Sequence, residues 1–225
     1  MSYNIRPAKE SDVPAICEVY FDAYGLKSKM DDETRKAIRE HFLEQATTQY
    51  MYDSGSQVSV MTDSSKDEKV VALSIWIAPK HKDDAASTKA QQQSSNAATG
   101  ADYEGFIDAG KASGSTNPGL AAYLESRERE EEKHEEIMKG RPHWTLLLLA
   151  VRADYQGKGL GGRLMESGME LADKDGLPQF IIASPAGKRL YEKHGFETVE
   201  NFEFTDSSGK EHANSAMLRT PPREP

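Results

Sequence analysis

The feature that most constrains this chain is an apolar run, "HWTLLLLAVRA" (143–153), that feeds straight into "DYQGKGLGGRLM" (154–165). A continuous apolar run of this length reads as a strand buried on both faces of a sheet. Four glycines interrupt it, after which Leu164, Met165, Met169 and Leu171 recur at helical spacing until Gly176, a natural helix stop. A buried strand, a glycine loop and a helix are thus consecutive, and the helix must cover the sheet that the strand belongs to.

The flanking sequence extends that arrangement. "YNIRPA" (3–8) alternates like a strand. Val13, Ile16, Val19 and Tyr20 follow at helical spacing behind Ser11 and Asp12, either of which can cap, and a second helix is expected from Asp31 toward Tyr50. "SQVSVMTD" (56–63) and "KVVALSIWIAP" (69–79) read as a hairpin around "SSKDE". Residues 80–118 are rich in Ser, Ala, Gln, Asp and Gly and read as a low-complexity insertion. The segment 119–140 has strong helix formers but no apolar residue from Glu125 to Glu136, so a solvated surface helix is expected, with a substrate-side lid or a partner surface as the alternative. "QFIIAS" (179–184) is a buried strand, "PAGKRLYEKHG" (185–195) a short helix, and the C-terminal region an antiparallel pair around "SSGK". The expectation is one mixed α/β domain over 1–225, with a polar insertion at about 80–140.

Bulk properties exclude several classes. Net charge is −9, which argues against nucleic acid or an anionic membrane as the main partner. The single cysteine, Cys17, excludes an internal disulfide framework and a cysteine-rich metal site; its helical context reads as a buried small hydrophobe. No apolar run reaches the ~20 residues that span a bilayer, and the N-terminus lacks a secretory h-region. A soluble, cytoplasmic protein, monomeric or homodimeric and without a metal, is expected.

Gly157, Gly159 and Gly162 spell the dinucleotide pattern G-x-G-x-x-G, but five residues, Arg152 to Gln156, separate the strand from the first glycine, and the next strand ends at Ser184 without an acid. A Walker loop needs Ser or Thr after Gly157-Lys158, and Gly159 stands there. A loop without any ligand is the bland alternative. The reading that fits best is a cradle for a pyrophosphate. Backbone N–H groups converge at a helix N-terminus, glycine lets the ligand approach, and Lys158 and Arg163 stand at the rim.

Gln156-Gly157-Lys158-Gly159-Leu160-Gly161 matches Q/R-x-x-G-x-G/A, and "AGKRLYEKHGFETV", about 35 residues on, resembles A-x-x-L-Y-x-x-x-G-F, its L-Y-x-x-x-G-F part running from Leu190 to Phe196. In both motifs and their order the chain resembles the GNAT N-acetyltransferase superfamily, clearly over 143–205. "HWTLLLLAV" and "ASPAGKRLYEKHGFE" look most like fungal members. The resemblance implies a central, mostly antiparallel, splayed sheet flanked by helices, with acetyl-CoA as co-substrate and an amine as acceptor. It implies that Leu149, Ala150 and Val151 pair their backbone with the pantetheine arm. It further implies that Gln156, Gly157, Lys158, Gly159, Leu160 and Gly161 hold the pyrophosphate, with Gly162 and Arg163 close by, and that Ser184 contacts the arm. Tyr191 matches the family's tyrosine that protonates the departing thiolate, a role that suits a phenol of pKa about 10. A main-chain N–H near Val151 would polarise the thioester carbonyl.

The base is the weak point. Positions 145 and 147, where the family often carries Glu or His, hold Thr145 and Leu147. His143 shares their strand parity and is a candidate acting through a water chain, against a capping or surface role. Asp22, Glu104 and Asp108 are acids in segments that can border an acceptor pocket. Trp76 and Trp144 read as core. The expected activity is direct N-acetylation of a small-molecule amine. The alternatives are a catalytically silent acyl-CoA-binding protein on the same fold and an O-acetyltransferase.

Overall fold

The computed structural model describes residues 2–26, 30–40, 50–52, 55–79 and 117–221. The elements are β1 (Tyr3–Pro7), α1 (Val13–Ala23), α2 (Asp32–Ile38), β2 (Ser56–Asp63), β3 (Lys69–Ile77), α3 (Pro118–Met138), β4 (Trp144–Val151), α4 (Leu160–Lys174), β5 (Gln179–Ala183), α5 (Pro185–Lys193), β6 (Glu197–Thr205) and β7 (Glu211–Arg219). Most of the 80–118 insertion, with Glu104 and Asp108, and the expected continuation of the second helix over 41–49 lie outside the described residues.

Seven strands form one sheet in the order β1-β2-β3-β4-β5-β7-β6. All neighbours are antiparallel except β4 and β5, which run parallel and pair only at Trp144–Gln179 and Thr145–Phe180. Beyond Thr145 the two strands diverge, so the sheet is a mixed, mostly antiparallel one, open at its middle. Hydrophobic residues cover both faces. Ile16, Val19 and Phe21 of α1, with Leu120 and Leu124 of α3, pack on one side. Met165 of α4 and Tyr191 of α5 pack with Trp76, Trp144 and Leu146 on the other. Cys17 is fully buried in the first cluster and forms no disulfide among the described residues. No helix among the described residues is long and apolar enough to cross a membrane.

A bulge redirects β4. Ile75 pairs with Leu148 and Trp76 with Leu146, which leaves Leu147 as the extra residue. The bulge shifts the strict alternation by one position. Trp144 and Leu146 therefore join the α4/α5 side, while Leu147 and Leu148 both join the α1/α3 side. The expectation of a strand buried on both faces is corrected here. Leu147, Leu148 and Leu149 are only half-buried, and the first two border a cavity.

The seating of α4 depends on one missing side chain. A Cβ at Gly168 would fall inside the Trp76 indole, whose Nε1 is buried without a hydrogen-bond partner among the described residues. Gly168→Ala is expected to cost roughly 1–3 kcal/mol through overpacking. Thermal denaturation should show the loss at roughly 2–4 °C per kcal/mol for a chain of this size. Adding Trp76→Phe should recover part of it, because the two positions share one contact.

Candidate functional site

The loop after β4 is pinned before it reaches its glycines. Tyr155 is buried and donates its hydroxyl to Asp63 Oδ2 at 3.2 Å. Asp22 accepts from Ala153 N at 2.9 Å and lies 3.8 Å from Arg152 Nε. Asp22 is thus a bracket for this turn and does not line the cavity described below, which corrects its reading as a pocket acid. Gln156 Nε2 reaches back to Val151 O at 3.0 Å, so the side chain that opens the motif ties the loop to the strand end.

Gly157 and Gly159 take φ of 73° and 75°, in the left-handed region. A side chain there is strained, and glycine is the residue that adopts it freely. Gly159 is also the N-cap of α4, with no side-chain cap, so the first helical amides, of Leu160, Gly161 and Gly162, are left to an outside acceptor. These are the features of an anion cradle. The two expected rim cations are both engaged: Lys158 Nζ donates to Asp154 O at 2.9 Å and sits 4.7 Å from the Tyr155 ring centroid. Arg163 donates to Tyr3 O at 3.0 Å.

The splay begins beside this cradle. Arg152 N–H bonds Val71 O on the β3 side. By alternation the main-chain groups of Ala150 also face β3, and those of Leu149 and Val151 face the gap. The expected use of Ala150 for pairing is therefore corrected to Leu149 and Val151 alone. Of the gap-facing carbonyls, Leu149 O accepts from Tyr24 Oη at 3.5 Å and Val151 O from Gln156. Ser184 is the N-cap of α5, accepting from Gly187 N at 3.4 Å, while its side chain borders the cavity.

That cavity, about 240 Å³, lies on the α1/α3 side and reaches Tyr191 through the gap. Tyr191 is 7% exposed, its ring stands edge-on to Phe196 at 6.1 Å, and its hydroxyl has no hydrogen-bond partner among the described residues. Burial pushes the phenol pKa well above its ordinary value, so it keeps its proton throughout the neutral range. Tyr20, Tyr24 and Tyr123 supply aromatic wall, and the Tyr20 and Tyr123 hydroxyls are 3.0 Å apart. Glu130 is buried, paired with Arg127 at 2.5 Å and with Asn214 at 2.9 Å; burial raises its pKa despite these partners.

α3 is thus not the solvated helix its charges suggest. Arg127, Glu130, Glu131 and His134 line the cavity beneath it. A sequence signal existed. Leu120, Leu124, Arg127, Glu131, His134 and Met138 follow the four-three spacing of a single helix face, apolar at its ends and polar in the middle. His143 does not line the cavity; its Nε2 lies 2.6 Å from Nε2 of His134, which does. Trp144 is core, with Nε1 on Asp175 Oδ2 at 2.8 Å, as expected.

Residues 120–198 match the family model of the acetyltransferase (GNAT) domain. Over that stretch the chain is similar to the GNAT acetyltransferase domain. The solved structures similar to it share the fold at low identity. An arylalkylamine N-acetyltransferase 2 from Aedes aegypti has a TM-score of 0.62 at 14% identity, covering 99% of this chain and 100% of that one. A Corynebacterium glutamicum protein described as histone acetyltransferase HPA2 and related acetyltransferase gives 0.59 at 18% identity, covering 100% and 99%. A PaiA N-acetyltransferase from Thermoplasma acidophilum, in complex with coenzyme A, gives 0.54 at 12%, covering 98% and 99%. The general chemistry of the GNAT family is acyl transfer, and the family match takes in α3 from Leu120 onward, so the helix within the expected insertion belongs to the matched region.

Proposed function

We propose that this chain is an acetyl-CoA-dependent N-acetyltransferase acting on the primary amine of a small molecule. One observation carries the reading. The gap between β4 and β5 joins a glycine anion cradle at one mouth to a small cavity holding the Tyr191 hydroxyl at the other. The cradle fits a pyrophosphate, because its glycines leave the backbone open and the first α4 amides, of Leu160, Gly161 and Gly162, have no acceptor among the described residues. Bound acetyl-CoA would supply the thioester that makes the acyl group transferable. The chain's own contributions are separate. Leu160, Gly161 and Gly162 offer their amides to phosphate oxygens, and the main chain of Leu149 and Val151 orients an extended arm as an added strand would. The bulge at Leu147 frees main-chain groups from the β3 ladder near the cavity, a suitable source of an N–H for a polarised carbonyl. Tyr191 Oη holds a proton where a departing thiolate needs one.

The acceptor side suits a small amine. The cavity is compact, its walls are aromatic, and carboxylates of Glu130 and Glu131 border it. An arylalkylamine acetyltransferase stands among the structural neighbours, which supports the same class. Thiol release from acetyl-CoA should be measured against a panel of aryl-alkyl amines, polyamines and amino sugars. Turnover on at least one small amine is the expected result. Tight binding of CoA with no turnover on any amine would favour a silent CoA-binding protein, a reading supported by the absence of a base at Thr145 and Leu147.

A further inference from the structure

The cavity contains an imidazole that β4 does not supply. His134 projects from α3, and its ring stacks on Phe180 of β5 with centroids 4.6 Å apart and planes 24° from parallel. Its two nitrogens have unequal surroundings. Nε2 lies 2.6 Å from His143 Nε2, and Nδ1 lies 3.2 Å from Glu131 Oε2. His143 in turn places Nδ1 2.6 Å from Arg141 O.

Hydrogen accounting assigns the tautomers. A carbonyl only accepts, so His143 must carry its proton on Nδ1 to bond Arg141 O. Burial lowers the pKa of His143 and favours its neutral form, which leaves Nε2 as an acceptor. His134 must then donate from Nε2. In neutral His134 the basic lone pair is therefore on Nδ1, beside Glu131. That contact is one proton short, and a substrate ammonium carries the proton it lacks.

We propose that His134 is the general base of this chain, taking the amine proton at Nδ1, and that His143 is a positioning residue that fixes the His134 tautomer. The inference rests on the N-acetyltransferase reading above. One N–H bond of the substrate ammonium breaks and one forms at His134 Nδ1. The amine nitrogen keeps the released electron pair for attack, and the imidazolium is neutralised by the Glu131 carboxylate. After the product leaves, Nδ1 returns the proton to water. The charged and titratable groups facing His134 are Glu131 and Glu135 on its own helix, whose carboxylate oxygens lie with a His134 ring nitrogen within 4.8 Å of one another. His143 and Arg141 approach from the segment before β4, Phe180 of β5 is uncharged, and Glu130, Arg127, Lys210 and His212 share the cavity wall.

The test uses the full chain and an amine accepted by the wild type. His134→Gln should lower kcat at pH 7 by roughly 10²-fold, within the usual range for a general base. The loss should shrink as pH approaches the amine's own pKa of about 10, where the free amine needs no base. KM for acetyl-CoA should stay unchanged, because His134 is remote from the glycine cradle. His143→Gln should give a smaller loss of the same kind. Independently of activity, imidazole ¹⁵N spectra should show His134 protonated on Nε2 in the wild type, with that preference lost in His143→Gln. A wild-type His134 protonated on Nδ1 alone, or a His134→Gln pH profile parallel to the wild type, would overturn the assignment. No transfer by the wild type to any amine would overturn both this inference and the function it rests on, whereas active wild type with a parallel profile overturns only the base.

Discussion

Tyr191→Phe is expected to lower kcat by roughly 10²–10³-fold, the range associated with loss of a positioned general acid. The substitution removes one oxygen and keeps the ring that fills the seam beside Phe196. Stability should therefore change little, since the lost hydroxyl has no protein partner among the described residues. CoA affinity should also hold, because the cradle is built from main-chain groups of the loop and α4. The pH dependence is a second signature. Burial raises the Tyr191 pKa, so the donor stays protonated as pH rises and imposes no alkaline limb below its ordinary value of about 10. The wild-type profile at saturating substrates should accordingly show an acid limb, set by the base, and a plateau above it. Stopped-time thiol release with isothermal titration of CoA separates the two effects. If Tyr191→Phe retains kcat within about threefold while binding CoA normally, the thiolate obtains its proton elsewhere and the general-acid role assigned to Tyr191 is wrong.

Much of the scaffold was readable because its signals are local. The strand at 56–63 is found at the residues expected, since an alternating run between polar turns specifies both its ends. The strand, glycine loop and helix over 143–176 were likewise legible, as was the shortness of α5, bounded by Pro185 and Gly195. The acceptor side was harder to read. The sequence of α3 reads as a solvated helix because hydropathy counts apolar residues, and a face that lines a polar cavity contains few. Its end anchors, Leu120, Leu124 and Met138, are buried, only 2%, 5% and 2% exposed, and they draw the polar middle over the sheet whatever its charge. The fates of Lys158, Arg163 and Asp22 were illegible for another reason. Their partners are main-chain atoms, long-range ones for Arg163 and Asp22 and one in the irregular turn four residues back for Lys158, which no spacing rule encodes. The meeting of His134 and His143 belongs to the same class, because nine residues and a chain reversal separate them.

The second large effect concerns the cradle. Gly159→Val should raise Kd for CoA by roughly 10–100-fold, equivalent to about 1.4–2.8 kcal/mol. Two causes act together. At φ of 75° a β-branched residue is strained, by about 1–2 kcal/mol for the left-handed region alone. Relief of that strain rotates the peptide that precedes α4, and the amides of Leu160, Gly161 and Gly162 then no longer converge. The free protein should lose comparatively little besides this strain, because a Cβ at Gly159 meets nothing within 4 Å. The space that is empty in the protein is the space a phosphate must share. The kinetic pattern follows from the same separation. KM for acetyl-CoA should rise while kcat at saturation stays within a few-fold, since Tyr191 and the cavity stand at the other end of the gap. The thermal stabilisation that CoA gives the wild type should fall in step with the weaker binding. Should titration give the same Kd for Gly159→Val as for the wild type, the glycine loop would not be the phosphate site, and the direction in which the gap is filled would have to be reversed.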